Sequence, residues 1–177
     1  MERIAVFCSA SQDIDSIYIE KARELGAWMG DSGKTLVYGG ASSGLMEVMA
    51  AEAKAHGAMV MGVVPTIVEE RGMASDLCDV VFRTDNLSDR KDVMLRESEV
   101  SIALPGGVGT LDEVFSVMAS ATIGYHSKRV IFYNIDGFWN GIVAFLDGLE
   151  KRRFARSPLE NYYKVANSFD ELTDMIK

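Results

Sequence analysis

Short apolar runs rich in β-branched residues alternate with segments of helical period along this chain, and that alternation restricts the fold more than any other feature. Residues 4–8, 35–38, 59–64, 80–83, 100–104 and 130–134 read as strands, with a last short one at 162–166. Helical stretches begin near Ile14, Ser43, Ser88, Thr110 and Phe138, and Ser168 with Glu171 suits a capping box opening a C-terminal helix. Strand and helix alternating at this spacing build right-handed βαβ units, which lay strands parallel and place helices on both faces. Strands covered on both faces must be apolar nearly throughout, as most of these runs are. The expectation is an α/β chain: a three-layer, Rossmann-like, doubly wound parallel sheet, forming a single domain over residues 1–177.

Composition narrows what such a domain can do. The chain is 48% hydrophobic and 25% charged, an ordinary globular balance. Its formal charge of −8 argues against a nucleic-acid or anionic-membrane surface, so neither partner is expected. A small anionic ligand is still compatible, because a few cations and backbone amides make a local positive site. The two cysteines, Cys8 and Cys78, sit in strand-like runs and suit buried thiols in a reducing, cytoplasmic compartment. The first apolar run is too brief for a signal or membrane span. The methionines, among them Met46, Met49, Met59, Met61, Met94 and Met118, fall mostly at core spacing.

Glycines gather at the carboxyl ends of two predicted strands. One turn is Tyr38-Gly39-Gly40-Ala41-Ser42-Ser43-Gly44, and the other is Leu104-Pro105-Gly106-Gly107-Val108-Gly109-Thr110. Ligands of open parallel sheets bind at that edge. Glycine lets the backbone approach a ligand closely, and the helix start that follows offers unpaired N–H groups and the positive end of a dipole. Together these make a phosphate cradle. A plainer reading stands beside it, in which the turns only reverse the chain and Thr110-Leu111-Asp112-Glu113 is a capping box. Two such turns at carboxyl strand ends favour the ligand. The pattern is not that of a dinucleotide site, since Gly39-Gly40-x-x-x-Gly44 is not GxGxxG and no carboxylate follows Val63-Val64-Pro65. Gly33-Lys34-Thr35 is not a Walker loop either, because Trp28 stands at its leading glycine and a strand follows. His56 and His126 have no clustered partners, so no metal and no cofactor are expected, and His126 reads as a surface or subunit-contact residue.

The second turn, taken with Asp89-Arg90-Lys91-Asp92-Val93-Met94, resembles the Lonely Guy family of cytokinin riboside 5′-monophosphate phosphoribohydrolases. Its signature pairs RKxxM with PGGxGTxxE, matched here by Arg90, Lys91 and Met94 and by Pro105 through Glu113. The first turn is similar to the family's YGGGxxGLMG, and Cys8-Ser9-Ala10-Ser11 to its CGSS. Departures are Ala41 and Glu47 in place of glycines, Asp112 in place of the first glutamate, and Ala119-Ser120-Ala121-Thr122 in place of TWAQ. Related proteins include nucleotide 5′-monophosphate nucleosidases and molybdenum cofactor carriers, and some have carried a lysine decarboxylase label.

The resemblance implies hydrolysis of the N-glycosidic bond of a nucleoside 5′-monophosphate by a homodimer, with Arg90 and Glu113 catalytic. Substrate and phosphate would be held by Ser9, Gly40, Gly44, Lys91, Gly106, Gly107, Val108, Gly109, Thr110 and Asp112. Such cleavage builds positive charge on the ribose, which a carboxylate one turn into the helix could stabilise while it orients water. Arg90 would add a forked cationic donor. Lys91 beside it points elsewhere on a helix, to assist substrate or to face solvent. The alternatives are a purine nucleosidase acting on AMP or GMP and a nucleotide or molybdenum-cofactor carrier that binds without cleaving.

Overall fold

The computed structural model describes residues Met1–Lys177. Seven strands form one sheet: β1 (Arg3–Phe7), β2 (Thr35–Tyr38), β3 (Met59–Pro65), β4 (Val80–Thr84), β5 (Val100–Ala103), β6 (Val130–Tyr133) and β7 (Tyr163–Ala166). The helices are α1 (Ser16–Asp31), α2 (Gly44–Ala55), α3 (Thr66–Glu70), α4 (Leu87–Glu97), α5 (Val108–Thr122), α6 (Asn140–Lys151) and α7 (Phe169–Ile176). Every pairing is parallel, in the order β4-β3-β2-β1-β5-β6-β7. The expected doubly wound architecture is therefore present.

The period of two along each strand divides the core. Ile4 and Val6 of β1 join Leu36, Tyr38 and Ile102 in a cluster covered by Leu25 and Met29 of α1, Met49 of α2 and Leu172 of α7. Ala5 and Phe7 point the opposite way and join Val37, Ala103 and Phe132 under Met94 of α4, Val114 and Met118 of α5 and Leu146 of α6. Each fully buried Ile, Leu or Phe contributes about 1.5–3 kcal/mol, so both faces hold the sheet. The central strands are apolar for this reason.

Three expectations need correction. The edge strand β4 leaves Val81 and Arg83 exposed, since no further strand or helix covers it fully. Cys78 lies in the loop before β4 and is half-buried, although Cys8, just past β1, is buried. Met59 is exposed at the start of β3, whereas Met46, Met49, Met94 and Met118 are core residues. The Ser168 cap is present, with its Oγ accepting from Glu171 N–H at 3.2 Å, while Glu171 Oε2 accepts from Asn167 N–H at 2.7 Å.

The chain leaves β1 toward β2 on one side, whereas β5 lies on the other, so a crevice opens at the carboxyl ends of β1 and β5. The ladder continues past both strands: Leu104 N–H donates to Phe7 O at 2.9 Å and Ser9 N–H to Pro105 O at 3.2 Å. These bonds fix the crevice floor.

Candidate active site

The second glycine turn enters α5 two residues earlier than the sequence suggests. Gly107 is the N-cap, with no side-chain cap, and Val108 begins the helix. Leu111 N–H is the first to bond back, reaching Gly107 O at 3.1 Å. The N–H groups of Val108, Gly109 and Thr110 thus have no intrahelical carbonyl and, with the dipole, form an anion-binding end. Thr110 is not an N-cap, and the Glu113 carboxylate turns away from the helix start toward Arg90. The capping-box reading is wrong for this reason.

Arg90 comes from α4, whose own start is capped by Asn86 Oδ1 accepting from Ser88 and Asp89 N–H. Its Nε donates to Val63 O at 3.1 Å, and its Nη1 stands 2.9 Å from Glu113 Oε1. Both side chains are sunk in the protein, with 12% of Arg90 and 5% of Glu113 exposed. Burial is the larger influence on Glu113 and pushes its carboxyl up from 4.5 to about 7, with Asp112 adding to the rise; Arg90 and Lys91 oppose it. A carboxyl in that range takes up and releases a proton near neutrality, as a general acid or base requires. Burial also pushes the Cys8 thiol, close to this pair, well above its ordinary value, so it is a neutral wall.

The crevice has a volume of about 390 Å³ and draws on four segments: Cys8 to Ser11 after β1, Met46 of α2, Arg90 of α4, and Gly107, Gly109, Thr110 and Glu113 around the start of α5. It continues past Ala10, Met46 and Arg90 into a chamber of about 570 Å³. Pro65, Val68, Met73 and Leu87 give that chamber an apolar wall. Ser42 N–H on Met73 O and Ser75 N–H on Gly40 O, both at 2.8 Å, hold the wall to the first glycine turn. Volumes of this size suit a ligand the size of a nucleotide.

Of the residues singled out from the sequence, Ser9, Arg90, Gly107, Gly109, Thr110 and Glu113 meet in the crevice. The others lie around it. Gly106 packs its Cα against the Thr110 side chain, and Val108 is 83% exposed beside the helix start. Lys91 Nζ reaches both oxygens of Asp112 at 2.8 Å, so the two form an outer ion pair between α4 and α5 away from the crevice wall. Gly40 and Gly44 have positive φ, and Gly44 lets α2 start directly against Ala10 and Ser11, where any Cβ would strike backbone. These two glycines shape the loops and do not line the crevice. Residues that sequence reasoning missed are Cys8, Ala10, Ser11, Met46 and, in the chamber, Gly39. The Cys8–Ser11 segment carried a signal for the first three; Met46 looked like core and Gly39 like part of a turn. His126 is half-buried and engaged within the chain, its Nε2 3.0 Å from Ser120 Oγ and its Nδ1 accepting from Lys128 N–H at 3.1 Å.

Residues 46–176 match a family described as possible lysine decarboxylase. A probable cytokinin riboside 5′-monophosphate phosphoribohydrolase of Oryza sativa subsp. japonica is 34% identical over 175 residues, covering 99% of this chain and 72% of that protein. The cytokinin riboside 5′-monophosphate phosphoribohydrolase of Mycobacterium tuberculosis is 37% identical over 146 residues, 82% of this chain and 78% of that one. In three dimensions, the Moco carrier protein of Chlamydomonas reinhardtii superposes with a TM-score of 0.76 at 23% identity, covering 99% of this chain and 94% of that one, which is a likeness of fold. Sequence similarity along nearly the whole chain, and the meeting of the RKxxM and PGGxGTxxE segments at one crevice, place this chain in the family of cytokinin riboside 5′-monophosphate phosphoribohydrolases.

Proposed function

We propose that this chain is an N-glycosyl hydrolase that cleaves a nucleoside 5′-monophosphate, of the cytokinin riboside or AMP type, to free base and ribose 5-phosphate. The observation that carries this reading is the buried Arg90–Glu113 pair, 2.9 Å apart, standing beside the anion-binding start of α5. The 5′-phosphate sits on the N–H groups of Val108, Gly109 and Thr110, which places the ribose over Glu113 and the base toward the apolar chamber. As the C1′–N bond breaks, the electron pair leaves with the base and positive charge grows on the ribose. The Glu113 carboxylate stabilises that charge and receives a proton from the attacking water, whose oxygen bonds to C1′. The departing base takes up one proton and Glu113 gives up the one it received, so the sum is base, ribose 5-phosphate and one water consumed. Arg90 holds Glu113 in place and offers its remaining N–H groups to the substrate. Ser9 and Thr110, which line the crevice, are within the same grip.

A carrier would use the cradle but would have no need of a buried carboxyl that titrates near neutrality. We assign the chain to the cytoplasm as a homodimer without nucleic-acid partners. Two free cysteines, exposed Leu87 and Val108 near the crevice mouth, and the charge of −8 support those assignments. No helix is long and apolar enough to cross a membrane. The test is incubation with AMP, a cytokinin riboside 5′-monophosphate, adenosine and ATP, with free base measured. Monophosphates are expected to be cleaved far faster than the nucleoside, since phosphate binding positions the sugar. Equal rates on AMP and adenosine would remove the cradle from the mechanism, and tight binding of AMP without release of base would leave a carrier.

A further inference from the structure

Gly39 follows the last residue of β2 and begins the first glycine turn. Unlike Gly40 and Gly44, it does not have a positive φ, so its backbone does not call for glycine. What calls for it is space. A Cβ at position 39 would overlap Arg90 Nη2, lie 3.1 Å from Arg90 Cζ and lie 3.2 Å from Met46 Sδ. The guanidinium is therefore fixed on three sides: Nε by Val63 O, Nη1 by Glu113, and Nη2 by a backbone surface that has no side chain.

Resting on the hydrolase reading above, we propose that Gly39 is a positioning residue for catalysis, whose missing side chain lets Arg90 lie across the end of β2 and reach Glu113. The obstacle that a methyl group would create is the tip of a flexible side chain, not backbone, so the fold can accept alanine by moving the guanidinium. Displacement by about 1 Å is enough to cost a catalytic group on the order of a hundredfold in rate. It also weakens the attraction that favours the Glu113 carboxylate. The charged groups acting on Glu113 are Arg90 and Lys91 from α4 and Asp112 from its own helix, while the Cys8 thiol near them is neutral. With Arg90 displaced, burial and Asp112 act less opposed, and the proton on Glu113 is held to higher pH.

The experiment compares wild type, Gly39→Ala, Arg90→Lys, Arg90→Ala and the Gly39→Ala combinations with each Arg90 variant. Melting, AMP hydrolysis and carboxyl NMR titration of Glu113 are measured on each. Gly39→Ala is expected to lower kcat by about a hundredfold with KM changed less than about threefold. Its Glu113 midpoint should rise above the wild-type value. On the Arg90→Lys background, which lacks Nη2, the same alanine should change kcat less than about twofold. Any loss of melting temperature caused by Gly39→Ala should largely vanish on the Arg90→Ala background, where only the flexible Met46 side chain, its Sδ 3.2 Å away, still crowds the new methyl group. Wild-type kcat in Gly39→Ala, an equal loss on the Arg90→Lys background, or unfolding that persists with Arg90→Ala would each overturn the proposal. The titration needs no turnover: if wild type releases no base, the hydrolase reading fails, whereas an unmoved Glu113 midpoint in Gly39→Ala refutes the positioning role by itself.

Discussion

Arg90 Nη1 and Glu113 Oε1 stand 2.9 Å apart, an ion pair that joins α4 to α5 across the crevice floor. An arginine this close would ordinarily hold a carboxyl below its usual range. Here burial outweighs it, and Glu113 titrates at about 7. The pair is thus poised, with the carboxylate available at neutral pH and yet able to hold a proton.

Replacing Glu113 with Gln keeps the size and much of the hydrogen bonding of the side chain but removes its charge. Turnover of AMP is expected to fall about a hundredfold or more, with AMP affinity changed far less, because the charge matters most once the ribose is cationic. Single-turnover cleavage and equilibrium binding on one preparation measure both. Wild-type turnover in Glu113→Gln would exclude the carboxylate from the chemistry.

The same group ties stability to pH. Its folded value of about 7 lies above the ordinary 4.5, so between these values the folded protein keeps a proton that the unfolded chain releases. Its contribution is therefore greatest at or below pH 4.5, declines as pH rises through this window and levels off above about 7, by on the order of 3 kcal/mol in all. Urea unfolding of wild type and Glu113→Gln at pH 5 and pH 8 should show wild type losing ground to the variant at the higher pH. A constant difference between the two proteins would contradict the elevated value.

Lys91 and Asp112 bear on Glu113 with opposite signs. Asp112 raises its proton affinity and Lys91 lowers it. Asp112→Asn should move the midpoint of the pH–rate profile down, and Lys91→Met should move it up. The ion pair is partly exposed, 21% for Lys91 and 48% for Asp112, so losing it should cost only about 0.5 kcal/mol of stability. Shifts of the same sign in both variants would show that the pair acts on the fold alone.

Gly109 offers a direct test of the cradle. A Cβ there meets nothing within 4 Å, and the residue lies in the first turn of α5, where valine is no worse a helix former than glycine. Gly109→Val should therefore melt within about 0.5 kcal/mol of wild type while losing at least about tenfold in AMP affinity, through its intrusion on the phosphate position. Calorimetric titration with AMP checks this, and undiminished affinity in a folded variant would place the phosphate elsewhere.

Much of the fold was legible because both faces of the sheet are covered. β2 spans Thr35–Tyr38 as expected, β1 is shifted by one residue, and each of the other strands differs from expectation by a residue at one end, since apolar runs buried on both sides have abrupt borders. The five-residue α3 was not legible, because Thr66-Ile67-Val68-Glu69-Glu70 is too short to display a helical period. The start of α5 was misplaced because Val108-Gly109 has poor helix propensity and begins a helix only with β5, the turn and the core beneath it in place.

By itself, the order of residues determined the parallel sheet, the two glycine turns at its carboxyl edge and the chemical types of Arg90 and Glu113. Those follow from local periodicity and from side-chain chemistry, which neighbours along the chain express. Only tertiary structure decided that Glu113 faces Arg90 and not its own helix start, that Lys91 is engaged by Asp112, and that Gly39 is the floor beneath a guanidinium. Arg90 meets partners on β3, just past β2 and on α5 that are distant in sequence, and the proton affinity of Glu113 comes from burial, which no local pattern contains. Helix packing on a twisted sheet creates those meetings, because it brings the ends of separate βα units to one edge.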